Sequence, residues 1–269
     1  MARTIVLLTD FGPGSSYVGE MKGVLARLAP AAPVVDLAHD VRPQDVREAA
    51  FLLGGAWRRF PRGSVFVAVV DPGVGSERAV LALETAEAIF LAPDNGLLSY
   101  VWAETVKRET AARLYAVTNR RLFLPQVSAT FHGRDIFAPV AARLARGYSL
   151  HLVGPRCRGL HTFDLPRPER LADGGLRCHV VYVDRFGNLV SDAVAADLPP
   201  GPVVVTAGGR TIRGLSPSYA QGGEVLALVD SWGRLEIAAR NADAAAMLGL
   251  GIGDAIVVRP APGAAGAEA

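Results

Sequence analysis

The chain has 269 residues, of which 50% are hydrophobic and 20% charged, and its 28 basic and 26 acidic residues give a formal net charge of +2. This length and composition can bury one large core or two moderate ones, which excludes a disordered protein. The charges form no basic run with interleaved aromatic residues, so no nucleic-acid partner is expected. The longest apolar runs fall short of the roughly 20 residues that cross a bilayer, so no membrane partner is expected either.

Two further features bear on the compartment. Met1 leads directly into the strand-like segment TIVLLTD, without the leader, apolar region and cleavage site of a signal peptide. We therefore predict a cytoplasmic protein. Cys157 and Cys178 lie far apart without a CxxC partner, which argues against a zinc site or a disulfide framework.

The first 150 residues alternate β-branched runs with segments of helical periodicity, which indicates a layered α/β domain with a mostly parallel sheet. The predicted strands are 3–9, 33–37, 64–70, 79–84, 88–92 and 113–117. The predicted helices are 16–28, 44–60, 95–104 and 134–147.

From about Gly175 the chain reads as short strands separated by glycine and proline, with one helix near 241–248. This texture predicts a second, smaller and mostly β domain. We place the boundary in 159–174, where Pro166 and Pro168 interrupt any regular element. The predicted domains are therefore 1–165 and 175–260, followed by a flexible tail, 261–269.

The segment TDFGPGSSY, 9–17, follows the first predicted strand, where open α/β sheets bind ligands. Asp10 could receive two adjacent hydroxyls such as a ribose diol, because a carboxylate has two acceptor oxygens. It could equally cap the following turn. Gly12 and Gly14, followed by Asp36, mimic part of a dinucleotide fingerprint, which leaves a nicotinamide-dependent dehydrogenase as an alternative.

Two more segments place charged groups after strands. In VVDPGVGSER, 69–78, a tight turn separates Asp71 from Arg78, so the two could form a charge-assisted pair. In FHGRDIFAP, 131–139, His132 precedes a predicted helix and could orient or deprotonate a water molecule. Taken singly, these residues are better explained as a structural salt bridge and a structural histidine.

Weaker signals occur in three further segments. In APDNGLLSY, 92–100, Asn95 reads as a helix cap. The segments 182–193 and 228–241 read as ordinary hairpins, although Asp184 and Asn188 are polar groups that could bind a charged or amide-bearing ligand.

Taken in order, TDFG, HDVRPQD, DPGVGSER, PDNG, FHGRDIF, DRFGN and SWGRLEIA resemble the S-adenosyl-L-methionine (SAM) hydroxide adenosyltransferase family, which is related to the fluorinases and chlorinases. The resemblance covers nearly the whole chain. It implies an N-terminal α/β domain, a smaller C-terminal β-barrel-like domain and a homotrimer. SAM would lie between the first domain of one subunit and the second domain of its neighbour. Because SAM is then the substrate, no cofactor and no metal are expected.

The resemblance also assigns roles. Asp71, Arg78 and His132 match the catalytic trio associated with water activation, and Asp10 matches the ribose-binding aspartate. Gln44 stands where the halogenating relatives have a tryptophan. The predicted substrate contacts are Asp10, Phe11, Gln44, Asn95, Phe131, Gly133, Asp184, Phe186, Asn188, Ser231, Trp232 and Glu236.

The implied reaction is attack of water on C5′ of SAM, giving adenosine and L-methionine. Gly133 stands where the halogenating relatives have a halide-holding serine, and His132 replaces a tyrosine, so SAM-dependent halogenation is disfavoured. Trp232 stands where some relatives have an arginine, which weakens the expected grip on the amino-acid end. A SAM or adenosine sensor with little turnover remains the alternative from another class.

Overall fold

A computed structural model describes residues 2–108 and 112–262. The chain divides into two compact units, Met1–Asp164 and Leu165–Ala269. Most of the predicted tail, 263–269, lies outside the described residues. None of the helices in the described ranges is long and apolar enough to cross a membrane.

The first unit is built on a six-stranded mixed sheet with the order β2-β1-β3-β5-β4-β6. The neighbours along β2-β1-β3-β5 are parallel, and β4 is antiparallel to both β5 and β6. The strands are β1 (Ile5–Thr9), β2 (Val34–Ala38), β3 (Ser64–Val69), β4 (Val80–Glu84), β5 (Ala88–Pro93) and β6 (Arg113–Ala116).

Helices cover both faces of this sheet, and the central strands β1, β3 and β5 are buried on both sides. In β1, Ile5 and Leu7 join one hydrophobic core, while Val6 and Leu8 join the other. Such strands read as continuous apolar runs, which is why their positions could be predicted. The predicted layered α/β class is confirmed. The helices are α1 (Ser16–Leu28), α2 (Val46–Ala56), α3 (Ser99–Arg108) and α4 (Ala138–Ala145).

Two helices begin later than the periodicity predicts. Gln44 has φ 66°, in the left-handed region, so it cannot belong to α2, and Asp45 caps the helix by accepting the N–H of Glu48 at 2.9 Å. The helix predicted from Asn95 begins at Ser99. Asn95 therefore does not cap it.

The second unit is a nearly closed, barrel-like antiparallel sheet with the order β11-β10-β14-β8-β9-β13-β12, and β7 also pairs with β8. Alternate residues of its strands fill one core. This confirms the predicted fold class. The elements are β7 (Glu169–Arg170), β8 (Leu176–Val183), β9 (Leu189–Val194), β10 (Val203–Ala207), β11 (Arg210–Arg213), β12 (Val225–Val229), β13 (Arg234–Ala239), α5 (Ala244–Leu248) and β14 (Ala255–Pro260).

Candidate active site

The loops that follow β1 and β2 meet at Asp10. Its carboxylate oxygen Oδ2 accepts the backbone N–H of Gln44 at 2.8 Å. The left-handed backbone of Gln44 keeps that N–H out of the ladder of α2. Within the described residues Oδ1 has no donor, so it can accept a hydroxyl such as one of a ribose diol.

Asp71, Arg78 and His132 form one hydrogen-bonded chain. The Nε of Arg78 donates to Oδ1 and Oδ2 of Asp71 at 3.0 and 2.9 Å, and Nη2 also donates to Oδ2. The same Nη2 lies 2.8 Å from Nδ1 of His132. The side chains of Asp71 and Arg78 are 5% and 11% exposed, so water screens this charge-assisted pair little.

The contact with Arg78 fixes the protonation of His132. A guanidinium has donors and no acceptor, so Nδ1 of His132 must accept, and the proton of the neutral ring is on Nε2. Burial is the largest cause that lowers the pKa of His132, and the charge of Arg78 lowers it further, against the opposing charges of Asp71 and Asp135. His132 is therefore neutral near pH 7, with Nε2–H available as a donor.

Arg78 also has N–H donors that no other described residue engages. Its Nε and Nη2 are engaged by Asp71 and His132, whereas neither N–H of Nη1 has an acceptor among residues 2–108 and 112–262. A buried guanidinium with two unused N–H groups beside a neutral imidazole N–H is suited to hold an oxygen that carries negative charge.

The polypeptide around His132 connects the trio to the Asp10 loop. His132 precedes a π-helical turn, Gly133–Phe137, that runs into α4. Such turns are rare and occur frequently at functional sites. The ring of Phe131 packs edge-on against Phe11 and Tyr17, with centroids 5.8 and 5.0 Å apart. Phe11 and Phe131 were predicted as substrate contacts, and the structure brings them together.

Gly133 lies in this aromatic cluster, where a side chain would be in tight contact with its neighbours. A Cβ built there would lie 3.2 Å from Sδ of Met21, 3.2 Å from Cε2 of Phe131 and 3.5 Å from Cε2 of Phe11. A serine at this position would require its neighbours to move.

The side chain of Asn95 is used within the protein. Its Nδ2 donates to the carbonyl of Val70 at 2.9 Å, and its Oδ1 accepts the N–H of Leu97 at 3.2 Å. It thereby braces the residue that precedes Asp71. The structure places Asn95 behind the trio as a support.

The turn between β8 and β9 is built around Asp184. Its Oδ1 accepts the N–H groups of Phe186 and Asn188 at 2.8 and 2.9 Å, and its Oδ2 accepts Nδ2 of Asn188 at 3.0 Å. Gly187 supplies the left-handed position, with φ 80°. The turn presents Phe186, whose side chain is 77% exposed, while Asn188 is buried.

The turn between β12 and β13 repeats this design. Oδ1 of Asp230 accepts the N–H groups of Trp232 and Arg234, both at 2.8 Å, and Gly233 has φ 78°. The order Asp, any residue, aromatic, Gly and polar thus occurs in both turns, as DRFGN and DSWGR. Ser231 and Trp232, two predicted substrate contacts, lie in the second turn.

Glu236 lies on β13, where it is 4% exposed. Its Oε1 accepts the phenolic O–H of Tyr219 at 2.9 Å. Burial is the largest cause that raises the pKa of Glu236 to about 7, and the negative charges of Asp230 and Asp184 add to it, while the Tyr219 bond lowers it. Burial, and then the bond to Glu236, raises the pKa of Tyr219. Tyr219 had no sequence signal that marked it.

No cluster of three histidine, cysteine, aspartate or glutamate side chains that could hold a metal ion occurs in residues 2–108 and 112–262. The trio itself contains an arginine, which repels cations. Its donors fit an anionic or polar oxygen better than a metal.

Two family models match the chain. Residues 5–154 match the SAM hydroxide adenosyltransferase N-terminal domain, and residues 178–257 match the C-terminal domain of the same family. The chain belongs to the SAM hydroxide adenosyltransferase family. The predicted resemblance is confirmed.

Among the proteins similar to this chain, some are named hydrolases and others fluorinases. A Salinispora tropica protein named (R)-S-adenosyl-L-methionine hydrolase is 40% identical, over 94% of this chain and 97% of the relative. A Nocardia brasiliensis protein named fluorinase is 30% identical, over 88% of this chain and 90% of the relative. A Thermotoga maritima crystal structure of an uncharacterized conserved protein has a TM-score of 0.87 and 35% identity, over 96% of this chain and 100% of that one.

In this member of the hydroxide adenosyltransferase family, the contacts of Asp36 argue against its being the acidic residue of a dinucleotide-binding fingerprint. One carboxylate oxygen of Asp36 accepts Nζ of Lys22 at 2.6 Å, and the other lies 3.1 Å from Nε2 of His39. A dinucleotide fingerprint needs this carboxylate for ribose hydroxyls. Here it is part of a network inside the first unit.

Proposed function

We propose that this protein hydrolyses SAM to adenosine and L-methionine. The oxygen of water forms a bond to C5′ as the C5′–S bond breaks, the electron pair of that bond neutralises the sulfonium, and the water releases one proton to bulk solvent. The leaving group already carries positive charge, so the reaction as proposed requires no general acid, metal or cofactor. The observation that carries the proposal is the hydrogen-bonded chain of Asp71, Arg78 and His132. The names of similar proteins that are called hydrolases of SAM support the same proposal.

The first unit would bind the ribose and the nucleophile. Asp10 accepts the ribose diol through its open oxygen, which fixes C5′. The aromatic contact between Phe11 and Phe131 connects this loop to the residue before His132. Holding the sugar and the attacking oxygen on one framework reduces the entropy lost in reaching the transition state.

Arg78 and His132 would hold the attacking oxygen as donors. Nη1 of Arg78 and Nε2–H of His132 both stabilise hydroxide over water, so the proton leaves more easily. Nε2 of His132 could accept the proton of the water only if the ring's own proton were on Nδ1. A proton on Nδ1 would point at Nη2 of Arg78. The geometry therefore favours His132 as a donor over His132 as a general base.

The second unit would bind the adenine and the methionine part through the predicted contacts Asp184, Phe186, Asn188, Ser231, Trp232 and Glu236. We propose that it does so for a neighbouring subunit of a homotrimer. The high exposure of Phe186 supports this arrangement, since a large aromatic side chain gains most from burial against a partner.

We also propose that the protein is cytoplasmic, which the free thiols Cys157 and Cys178 fit.

The relatives' names specify the (R) configuration of the sulfonium, and we propose the same preference here. The test is to incubate the purified protein with (R)-SAM and with (S)-SAM, with and without chloride. Adenosine, methionine and 5′-chloro-5′-deoxyadenosine are then separated by chromatography. Equal amounts of adenosine and methionine from (R)-SAM, unaffected by chloride, are expected.

Each other outcome contradicts part of the proposal. Tight binding without product identifies a sensor, and a chlorinated product identifies a halogenase. For the trimer, Asp10→Asn and Asn188→Ala proteins are mixed, dissociated and allowed to reassociate together. Recovered activity is expected if each site uses both units from different subunits, whereas sites formed within one subunit recover nothing.

A further inference from the structure

A directional hydrogen-bond chain lies behind the Asp10 loop and passes through His39, the first residue of the HDVRPQD segment, whose side chain the proposed mechanism does not use. Nδ1 of His39 lies 2.8 Å from Oγ1 of Thr9, and Oγ1 accepts the backbone N–H of Phe11 at 3.3 Å. Nε2 of His39 lies 3.1 Å from Oδ1 of Asp36, in an off-axis contact. Thr9 and His39 are 0% and 8% exposed.

The chemistry of the end groups sets the direction of the chain. The carboxylate of Asp36 can only accept, so the proton of the His39 ring lies on Nε2 and its lone pair on Nδ1. Thr9 then donates its hydroxyl proton to Nδ1 and uses an oxygen lone pair for the N–H of Phe11. Lys22 neutralises Asp36 at the outer end.

This chain connects the two loops that carry Asp10 and Gln44. The carbonyl of His39 accepts the N–H of Gly12 at 2.7 Å, so the ring and the backbone of His39 both hold residues 9–12. The N–H of Gln44, from the same loop as His39, reaches Asp10 itself. Asp10 is thus flanked on both sides by residues that His39 positions.

We propose that Thr9 and His39 are positioning residues that set the Asp10 carboxylate and the Phe11 ring for the substrate. This inference rests on the proposed SAM hydrolysis. Thr9→Val keeps the side-chain shape but removes the hydroxyl, so Nδ1 of His39 loses its donor and the N–H of Phe11 loses its acceptor. Thr9→Ser keeps the hydroxyl.

The experiment compares Thr9→Val with Thr9→Ser. Thr105→Val is the matched control, because Thr105 is also buried and its hydroxyl donates only within α3, to the carbonyl of Val101. We expect Thr9→Val to raise KM for SAM about 10-fold with a smaller change in kcat, as loss of ground-state binding requires. Thr9→Ser and Thr105→Val should remain within about 2-fold of the wild type.

A second measurement does not depend on turnover. In ¹⁵N-histidine-labelled protein, His39 should show an unprotonated Nδ1 and a protonated Nε2, with its signals assigned by their loss in His39→Gln. A proton on Nδ1, or equal KM values for Thr9→Val and Thr105→Val, would overturn the inference. So would equal losses in Thr9→Val and Thr9→Ser.

The two proposals fail in different ways. If the wild type releases no adenosine from SAM, the proposed hydrolysis fails, and the inference is then decided by adenosine affinity, measured calorimetrically for the Val and Ser variants. A weaker affinity of Thr9→Val than of Thr9→Ser supports positioning. Equal affinities, or no adenosine binding by any of the proteins, contradict it. Thermal unfolding of each variant separates a lost contact from a lost fold.

Discussion

Several carboxylates of the two units are satisfied in different ways. In the first unit Asp71 lies against Arg78, Asp36 against Lys22 and Asp135 against Arg134, so each negative charge is matched by a cation. In the second unit Asp184 and Asp230 accept backbone N–H groups, and Glu236 accepts a phenol. Backbone dipoles satisfy a carboxylate without cancelling its charge.

This difference matches the two ends of the proposed chemistry. The first unit offers spare N–H donors that, as proposed, hold the attacking oxygen in its negatively charged hydroxide form before it attacks. In the second unit burial is the largest cause of the raised pKa of Glu236, and the charges of Asp230 and Asp184 add to it. We propose that these carboxylates attract the sulfonium and ammonium groups of SAM. One unit is thus prepared for the nucleophile and the other for the cationic substrate.

Removing the guanidinium should have the largest effect. Arg78→Met leaves Asp71 buried without its cation and removes the donors proposed for the attacking oxygen, so kcat should fall about 10³-fold. Arg78→Lys should recover little, because an ammonium cannot engage Asp71 in a fork and also reach His132. Single-turnover adenosine release measures both. Arg58→Met, which breaks an ion pair with Glu87 elsewhere in the unit, is the control. A similar loss in that variant would argue against a specific role.

His132 should show its role in the pH profile. Protonation would put a proton on Nδ1 against Arg78, so activity should fall as pH falls, with an apparent pKa below the ordinary value of 6.5 because burial lowers it. His132→Ala should lose about 10²-fold in kcat. His132→Gln, which can accept from Arg78 and donate without titrating, should keep more activity and lose the acid limb. An acid limb that persists in His132→Gln would assign it to another group.

Glu236→Gln tests the negative potential. The pKa of Glu236 is raised from 4.5 to about 7, so the contribution of this group to stability is fully present below pH 4.5 and is lost as pH rises through 7. The glutamine variant should therefore be more stable at pH 8, by up to about 3 kcal/mol, and the gain should vanish near pH 4.5. Denaturant unfolding at both pH values measures this.

The same variant should bind SAM more weakly. KM at pH 8 should rise about 10-fold if Glu236 helps to attract the cation, and an uncharged adenosine should bind equally to both proteins. A parallel loss of adenosine affinity would indicate a distorted site instead of a lost charge.

Gly133→Ser should have the smallest effect on the reaction. The hydroxymethyl group meets Met21 and Phe131, so we expect a loss of a few-fold in kcat/KM and a lower melting temperature. No 5′-chloro-5′-deoxyadenosine should form with chloride, because His132 and Arg78 remain arranged for water. A chlorinated product would show that this single position decides between the two nucleophiles.

Part of this molecule could be predicted from its sequence because its local and tertiary preferences agree. The runs Ile5–Thr9 and Ser64–Val69 are buried on both faces and read plainly as strands. The start of α2 could not be predicted, since the left-handed backbone of Gln44 serves a tertiary contact with Asp10. Asn95 looked like a cap, but its amide is bound to Val70, a partner 25 residues away.

The residues of the trio could be chosen from their motifs, whereas their protonation could not. Only the position of Nη2 of Arg78 between Asp71 and His132 shows which ring nitrogen carries the proton. Tyr219 and Thr9 were missed because a tyrosine and a threonine carry no signal without their partners. For His39, the HDVRPQD motif marked the residue, but the motif did not indicate what the imidazole ring does.

The left-handed backbone of Gln44 also bears on how the site can diversify. The contact with Asp10 is made by a main-chain N–H, so it does not depend on which side chain residue 44 carries. The aspartate can therefore stay fixed while this exposed position changes, as the resemblance implies for the glutamine here and a tryptophan in the halogenating relatives. We propose position 44 as a place where substrate preference can be altered, in evolution or in the laboratory, without rebuilding the carboxylate proposed to bind the sugar.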